Sequence, residues 1–419
     1  MHEFKYIGDV LFCEDVGIGG IAAAAGTPFY LYSHKTLIDH YRKLRDAFAE
    51  LNPLICFSMK ANSNLAVVTT LVKAGAGLDV VSGGELYKAL KVGCDPKKIV
   101  YASVGKTERE IENAIRAGIL FFNVESLPEL AQINKIAKKL DRVVDCTLRA
   151  NPDIDPHTHK FITTGRAENK FGLDFTAVEK TFLGASKYPN VRLRGIHIHI
   201  GSQITEAEPF RKAINKIGTL IGNIRRKGAR VDWLNMGGGL GIIYNKEKPQ
   251  TAARFAKAVI PLVRKINVRL ILEPGRFIAG NSGILVAKVT YVKKTRSKNF
   301  VIADAAMNDL LRPSLYDAYH EILPVIRRPV RKKILADVVG PICESGDVLA
   351  RDRKLPEFQP GELIAVMGAG AYGFTMSSNY NSRPRAAEVM VIRGKFRVVR
   401  EREKYEDLIK GENIPKELK

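Results

Sequence analysis

Eight short apolar segments, each followed by a helical or amphipathic connection, run through the middle of this chain. They constrain its fold more than any other feature. They lie near residues 54–60, 77–82, 99–103, 119–125, 143–150, 191–200, 231–237 and 268–273, with helical patterns at 36–50, 65–73, 85–91, 108–116 and 127–139 among the connections. Strands that alternate with helices pair in parallel, and eight of them predict a closed (β/α)8 barrel. An open doubly wound sheet would instead carry its glycine-rich phosphate loop after the first strand.

Beyond residue 280 the pattern changes to period two without long helical spacers, at 283–294, 300–304, 332–343, 362–366 and 387–400. These read as strands of an antiparallel β domain. Residues 1–35 read as short β-type segments that join the same domain. The predicted organisation is therefore 1–35 and 281–419 as one β domain, with the barrel, 36–280, inserted between its two parts. From Glu401 the charged residues read as a helical or frayed tail.

Charge and cysteine usage narrow the function classes. Sixty-six Lys and Arg against 44 Asp and Glu give a net charge of +22. The basic residues are dispersed, clustering only near 293–298 and 327–333, with no aromatic-interleaved patch; a solvated basic surface is expected, not a nucleic-acid site. The 5 cysteines form no Cys-x-x-Cys pair, which argues against a disulfide framework or structural zinc. No apolar run is long enough to span a bilayer and no signal pattern opens the chain, so the expectation is a cytoplasmic protein without a membrane partner.

In a barrel the chemistry belongs at the C-terminal ends of the strands. The first segment, Leu-Ile-Cys-Phe-Ser-Met-Lys, ends on Lys60. Period-two alternation puts Leu54, Cys56, Ser58 and Lys60 on one face. An amine there either snorkels to solvent or serves as a Schiff-base lysine. Asp79 lies in the second strand and Arg149 near the end of the fifth. His197 and His199 share a face of the sixth, followed by Ser202. The seventh ends in Gly237-Gly238-Gly239-Leu240-Gly241 and the eighth in Glu273-Pro274-Gly275-Arg276. A strand histidine can be a satisfied core group, and His-x-His without a third ligand is weak for a metal, so none is expected. Together a lysine for an aldehyde, glycine loops and an arginine for a phosphate, and a carboxylate for a ring nitrogen fit pyridoxal 5'-phosphate. A phosphate-binding aldolase or isomerase barrel is the competing class.

Over essentially its whole length the chain resembles the fold-type III pyridoxal-phosphate decarboxylases. The likeness is carried by Lys60-Ala61-Asn62, His197-Ile198-His199-Ile200-Gly201-Ser202-Gln203, the glycine loop and Glu273-Pro274-Gly275-Arg276. It continues in Arg312-Pro313-Ser314-Leu315-Tyr316, Gly340-Pro341-Ile342-Cys343-Glu344-Ser345-Gly346-Asp347, and Gly370-Ala371-Tyr372-Gly373-Phe374. Within that family it is most similar to the branch acting on meso-diaminopimelate. The resemblance implies an alanine-racemase-like pairing of barrel and β domain, with decarboxylation of that substrate to lysine. It implies Lys60 as the cofactor lysine and His199 as the residue against the ring. Ser202, Gly239, Pro274, Gly275, Arg276 and Tyr372 are implied as cofactor contacts, and Glu273 as the partner of the ring nitrogen. Arg276, Arg312, Tyr316, Glu344 and Tyr372 are implied at the substrate. Cys343 is implied as a proton donor reaching the site from the other subunit of a homodimer, with Asp79 and Arg149 in support. Asn169 stands where the family usually has Ser, Phe57-Ser58-Met59 replaces Tyr-Ala-x, and the loop at 157–165 keeps the family's look. Sibling decarboxylases of ornithine, arginine or carboxynorspermidine and a non-catalytic regulator are the alternatives. The retained Lys60 and Cys343 speak against the regulator, and Arg312 with Tyr316 speaks against a distal ammonium.

Overall fold

The computed structural model describes residues 2–155 and 170–419, so the loop at 157–165 and Asn169 lie outside the described residues. The chain divides into two compact units, Met1–Thr36 with Gly280–Lys419, and Leu37–Ala279.

The second unit is a closed barrel of eight parallel strands: Leu54–Ser58, Gly77–Val80, Ile99–Tyr101, Phe121–Val124, Val144–Arg149, Val191–His197, Trp233–Asn235 and Arg269–Leu272. The last pairs with the first, Ile271 opposite Leu54, which closes the ring. Helices such as Glu108–Ala117 form because Thr107 and Glu110 make a reciprocal cap at the N-terminus. Its Ile111, Ala114 and Ile115 then face inward at helical spacing.

The barrel interior changes character along its axis. Cys56, Val100, Phe121, Trp233 and Ile271 form an apolar cluster, with the Phe121 and Trp233 rings edge to face at 5.4 Å. Positions nearer the C-terminal ends of the barrel strands turn polar: Ser58, Asp79, Asn123, Thr147, His197 and Asn235 are all buried. An apolar floor beneath a polar layer is what a barrel needs to hold charged groups out of bulk water.

The first unit contains a sheet that is largely antiparallel, but not wholly so. Its strands run in the order Val348–Pro356, Lys333–Val339, Asn299–Ala303, Gly283–Lys294, Phe29–Ser33, Ala387–Ile392 and Lys395–Arg400. Phe29–Ser33 is parallel to Ala387–Ile392, and Asn299–Ala303 is parallel to Lys333–Val339. The core of this unit gathers Phe29, Leu31, Ile284, Val286, Val389 and Val391.

Three expectations need correction here, and two further strands were not expected. Residues Ile18–Ala25 form a helix within the segment read as β, because Ile18, Ile21 and Ala22 supply a buried face despite two glycines. The stretch 387–400 is a hairpin turning at Arg393-Gly394, both at positive φ (50° and 70°), rather than one strand. The strand expected at 332–343 stops at Val339, before Gly340-Pro341. Strands Val348–Pro356 and Ile322–Pro324 carry no clear period-two signal.

Candidate active site

The first barrel strand ends at Ser58, and Lys60 sits in a short 3-10 turn, Met59–Ala61. The alternation that would continue the strand to Lys60 is therefore broken. The turn leaves the Lys60 side chain 38% exposed with Nζ 3.6 Å from Asp79 Oδ2. Asp79 is buried and accepts a 2.5 Å hydrogen bond from Ser58 Oγ. Burial, and then the charge of Glu273, push its carboxyl up to about 7, against the opposing pull of Lys60.

Glu273, just past the eighth strand, is the centre of the polar layer. Its Oε1 accepts hydrogen bonds from Asn235 Nδ2 at 2.6 Å and Asn123 Nδ2 at 3.1 Å, while Oε2 lies 3.4 Å from His197 Nε2. Thr147 Oγ1 donates to Asn123 Oδ1 at 2.7 Å. These residues come from five strand ends; Thr147 meets Asn123 and Asn235 meets Glu273 between neighbouring strands, and the Asn123–Glu273 bond crosses the lumen. Burial disfavours ionisation of Glu273, but the neighbouring His197, then Lys60 and the Asn235 hydrogen bond, overcome it and hold the carboxyl down to about 2. It is a fixed, buried negative charge.

The sixth strand stops at His197, so His199 lies in the loop beyond it and does not share a strand face with His197. The Gly238 N–H donates to His199 Nδ1 at 3.2 Å. A backbone N–H can only donate, so Nδ1 carries the lone pair and Nε2 the proton. Burial first, then Lys60 and Arg149, depress its basicity well below the usual imidazole range. His199 thus offers a neutral aromatic face. Arg149 supports it, donating to the His199 carbonyl at 3.3 Å and to Glu125 Oε1 at 2.6 Å.

The glycine loop must be glycine because it runs against the neighbouring strand end. A Cβ on Gly238 would stand 2.3 Å from the Glu273 carbonyl oxygen, and one on Gly275 3.1 Å from Ala61 Cβ. Gly239 is tied down through its carbonyl, which accepts from the Ile204 N–H at 2.8 Å, and Pro274 accepts from the Ser58 N–H at 3.2 Å. Arg276 is buried and forks onto Ser202 Oγ through Nε (3.2 Å) and Nη2 (3.1 Å). Its Nη1 donates to the Tyr244 hydroxyl at 2.7 Å. Ser202, Gly239, Gly275 and Arg276 thus gather after strands six to eight, where barrels bind phosphate.

These residues fit pyridoxal phosphate. Asp79 Oδ1 and His197 Nδ1 are buried without a hydrogen-bond partner among the described residues, and both belong to the polar layer. Buried polar atoms of that kind call for a polar ligand. Among the described residues no group of three or more His, Cys, Asp or Glu is arranged to hold a metal ion.

The remaining sequence-predicted residues belong to the other unit. Arg312 and Tyr316 share the short helix Arg312–Tyr316. Arg312 is buried, and its Nε donates to His320 Nε2 at 3.4 Å, while His320 Nδ1 donates to the Met367 carbonyl at 2.8 Å. Tyr372 takes left-handed backbone geometry at φ 56°. Cys343 is an exposed free cysteine whose N–H donates to Asn381 Oδ1 at 3.0 Å, and Glu344 accepts from the Tyr380 hydroxyl at 2.8 Å. Asp347 shapes their loop by accepting the Met307 and Ile342 N–H groups at 2.7 and 2.8 Å.

Comparison with known proteins gives the family. Residues 34–280 match the pyridoxal-binding domain of the pyridoxal-dependent decarboxylases. The diaminopimelate decarboxylase of Aquifex aeolicus (strain VF5) is 48% identical over 97% of this chain and 96% of its own length. The chain belongs to the diaminopimelate decarboxylase family. The Vibrio cholerae diaminopimelate decarboxylase is 45% identical over 99% of each chain. The solved diaminopimelate decarboxylase of M. jannaschii, in co-complex with L-lysine, superposes with a TM-score of 0.94 at 36% identity, covering 99% of this chain and 98% of that one.

Sequence reasoning did not single out Asn123, Glu125, Thr147, Asn235 or Tyr244. For a diaminopimelate decarboxylase barrel the usable signal was one polar residue inside an apolar strand, as in Phe-Phe-Asn-Val and Trp-Leu-Asn.

Proposed function

We propose that this chain decarboxylates meso-2,6-diaminopimelate to L-lysine and carbon dioxide, the last step of lysine biosynthesis, with pyridoxal 5'-phosphate as cofactor. The observation that carries the reading is the convergence of a reachable lysine amine and a buried, ionised carboxylate on one barrel rim. When bound, the cofactor supplies an electron-withdrawing ring that accepts the electron pair released as the carbon–carboxylate bond breaks.

The chain's residues divide that work. Lys60 presents the primary amine for the cofactor's aldehyde, and Asp79 faces it at 3.6 Å as the counter-charge. Glu273 holds the ring nitrogen protonated. The neutral His199 ring packs against the cofactor without competing for its charge. Ser202, Gly239, Gly275, Arg276 and Tyr372 hold the phosphate, with Pro274 fixing the turn between Glu273 and Gly275. Arg312 and Tyr316 take the distal carboxylate, a planar group that matches a guanidinium fork. Glu344 contacts the substrate, and Arg276 borders it. The Cys343 thiol gives a proton to the α carbon after carbon dioxide leaves.

A homodimer belongs to the same reading, with Cys343 serving the partner's site; its exposure supports this, since a donor loop must reach beyond its own unit. Among the described residues no helix is long and apolar enough to cross a membrane. A cytoplasmic location belongs to the same reading. The deciding experiment measures carbon dioxide release from meso-diaminopimelate, ornithine, arginine and lysine with pyridoxal phosphate supplied. Diaminopimelate should dominate; faster turnover of ornithine or arginine would refute the substrate.

A further inference from the structure

We infer that Asn123 and Asn235 are positioning residues that fix which oxygen of Glu273 serves the cofactor's ring nitrogen, and that Thr147 and the glycine loop set the orientation of those two amides. The inference rests on the reading that Glu273 partners that nitrogen.

Both amides aim their NH2 groups at the same oxygen. Asn235 Nδ2 and Asn123 Nδ2 donate to Glu273 Oε1 at 2.6 and 3.1 Å. Two donors occupy the lone pairs of Oε1, so Oε2, which has only His197 Nε2 beside it at 3.4 Å, keeps accepting capacity for a charged N–H. A side-chain amide can turn over, and the flipped form would aim a carbonyl oxygen at a carboxylate. Here each amide is held on its oxygen side. The Gly237 N–H donates to Asn235 Oδ1 at 2.9 Å, and a backbone N–H admits no reversed role. Thr147 Oγ1 donates to Asn123 Oδ1 at 2.7 Å. The Asn123 backbone is held too: Lys106, its side chain fully buried, donates from Nζ to the Asn123 carbonyl at 2.9 Å and pairs with Glu129 at 2.6 Å.

The glycine loop joins this layer to the rest of the site. Successive N–H groups of Gly237 and Gly238 orient Asn235 and His199, and the Gly237 carbonyl accepts from the Glu273 N–H at 2.8 Å. A shift of the loop would therefore move the carboxylate and the imidazole together. All of Asn123, Thr147 and Asn235 are fully buried, so water cannot replace a lost donor cheaply.

The test uses holoenzyme loaded with pyridoxal phosphate carrying 15N in its ring, read by nitrogen NMR beside steady-state kinetics. In the unmodified chain the ring nitrogen should resonate as protonated, and Glu273→Gln should move it towards the unprotonated position. Asn123→Ala and Asn235→Ala should move it in the same direction, lowering kcat about 10- to 100-fold, the size found when outer residues orient a ligand, with KM little changed. Thr147→Val keeps shape and removes one hydroxyl, so it should fold and give a smaller shift of the same sign. If the asparagine variants do not fold, Thr147→Val decides. A wild-type signal and kcat in the folded variants, with Glu273→Gln displaced, would overturn the inference and leave the Glu273 reading intact. An unmoved signal in Glu273→Gln would refute that reading and this inference with it.

Discussion

The barrel rim and the Cys343 loop are built in opposite ways. On the rim, Glu273, Asn123, Thr147 and Asn235 are all buried and joined side chain to side chain. In the other unit Cys343 is exposed and positioned through its own backbone N–H, and Glu344 is held by an exposed tyrosine. A charge that must stay fixed throughout a reaction gains from burial and a complete hydrogen-bond set. The proton donor proposed at Cys343 would serve only one step and needs access instead. Arg312 is the exception that sharpens the contrast: it lies with the Cys343 loop in the β unit yet is buried, which suits the carboxylate-binding role proposed for it.

The most disruptive way to break the comparison is to remove the reactive amine of the rim. Lys60→Ala should lower turnover roughly 10⁴-fold or more, because an amine supplied from solution cannot match one held in place. Borohydride should fix the cofactor to the Lys60 peptide in the unmodified chain only; an adduct on another lysine would refute the assignment. Cys343→Ala should cost on the order of 10²- to 10⁴-fold, the range for a positioned proton donor. Mixing it with Lys60→Ala should restore activity through hybrid dimers. No recovery with subunit exchange demonstrated would mean both sets serve from one chain.

Arg312→Ala should reduce kcat/KM for diaminopimelate roughly 30- to several-thousand-fold, the equivalent of about 2–5 kcal/mol for an unpaired buried charge. Cofactor absorbance should persist, since Arg312 is not among the residues proposed to hold the phosphate. The smallest effect is one of pH on the unliganded chain. Glu273 is held at about 2, below its ordinary 4.5, so its contribution to stability is present above the unfolded value and is lost as pH falls towards 2. Asp79 is raised to about 7, so the stability tied to its protonated form is lost as pH rises from about 4 through 7. Thermal unfolding followed against pH should show Glu273→Gln flattening the acid arm and Asp79→Asn flattening the neutral arm. Coincident curves for the variants and the parent chain would show that neither carboxyl is perturbed as described.

The sequence by itself determined a good deal. Parallel strands buried on both faces must be near-continuous apolar runs, and that made eight of them countable along the chain. The motifs at their ends were local, so Lys60, the glycine loop and Glu273-Pro274-Gly275-Arg276 could be read directly. Period two also exposed the β unit, though not its helix Ile18–Ala25 or its two parallel pairs, whose partners lie far apart in the chain. Tertiary structure alone decided where strands stop, placing Lys60 in a turn and His199 beyond its strand. It also decided which polar residues meet. Asn123 and Asn235 are 112 positions apart and carry no motif. Asn235 reaches Glu273 from the neighbouring strand, but only closure of the barrel brings Asn123 there as well, because a hydrogen bond across the lumen depends on register around the ring, which no local stretch of sequence encodes.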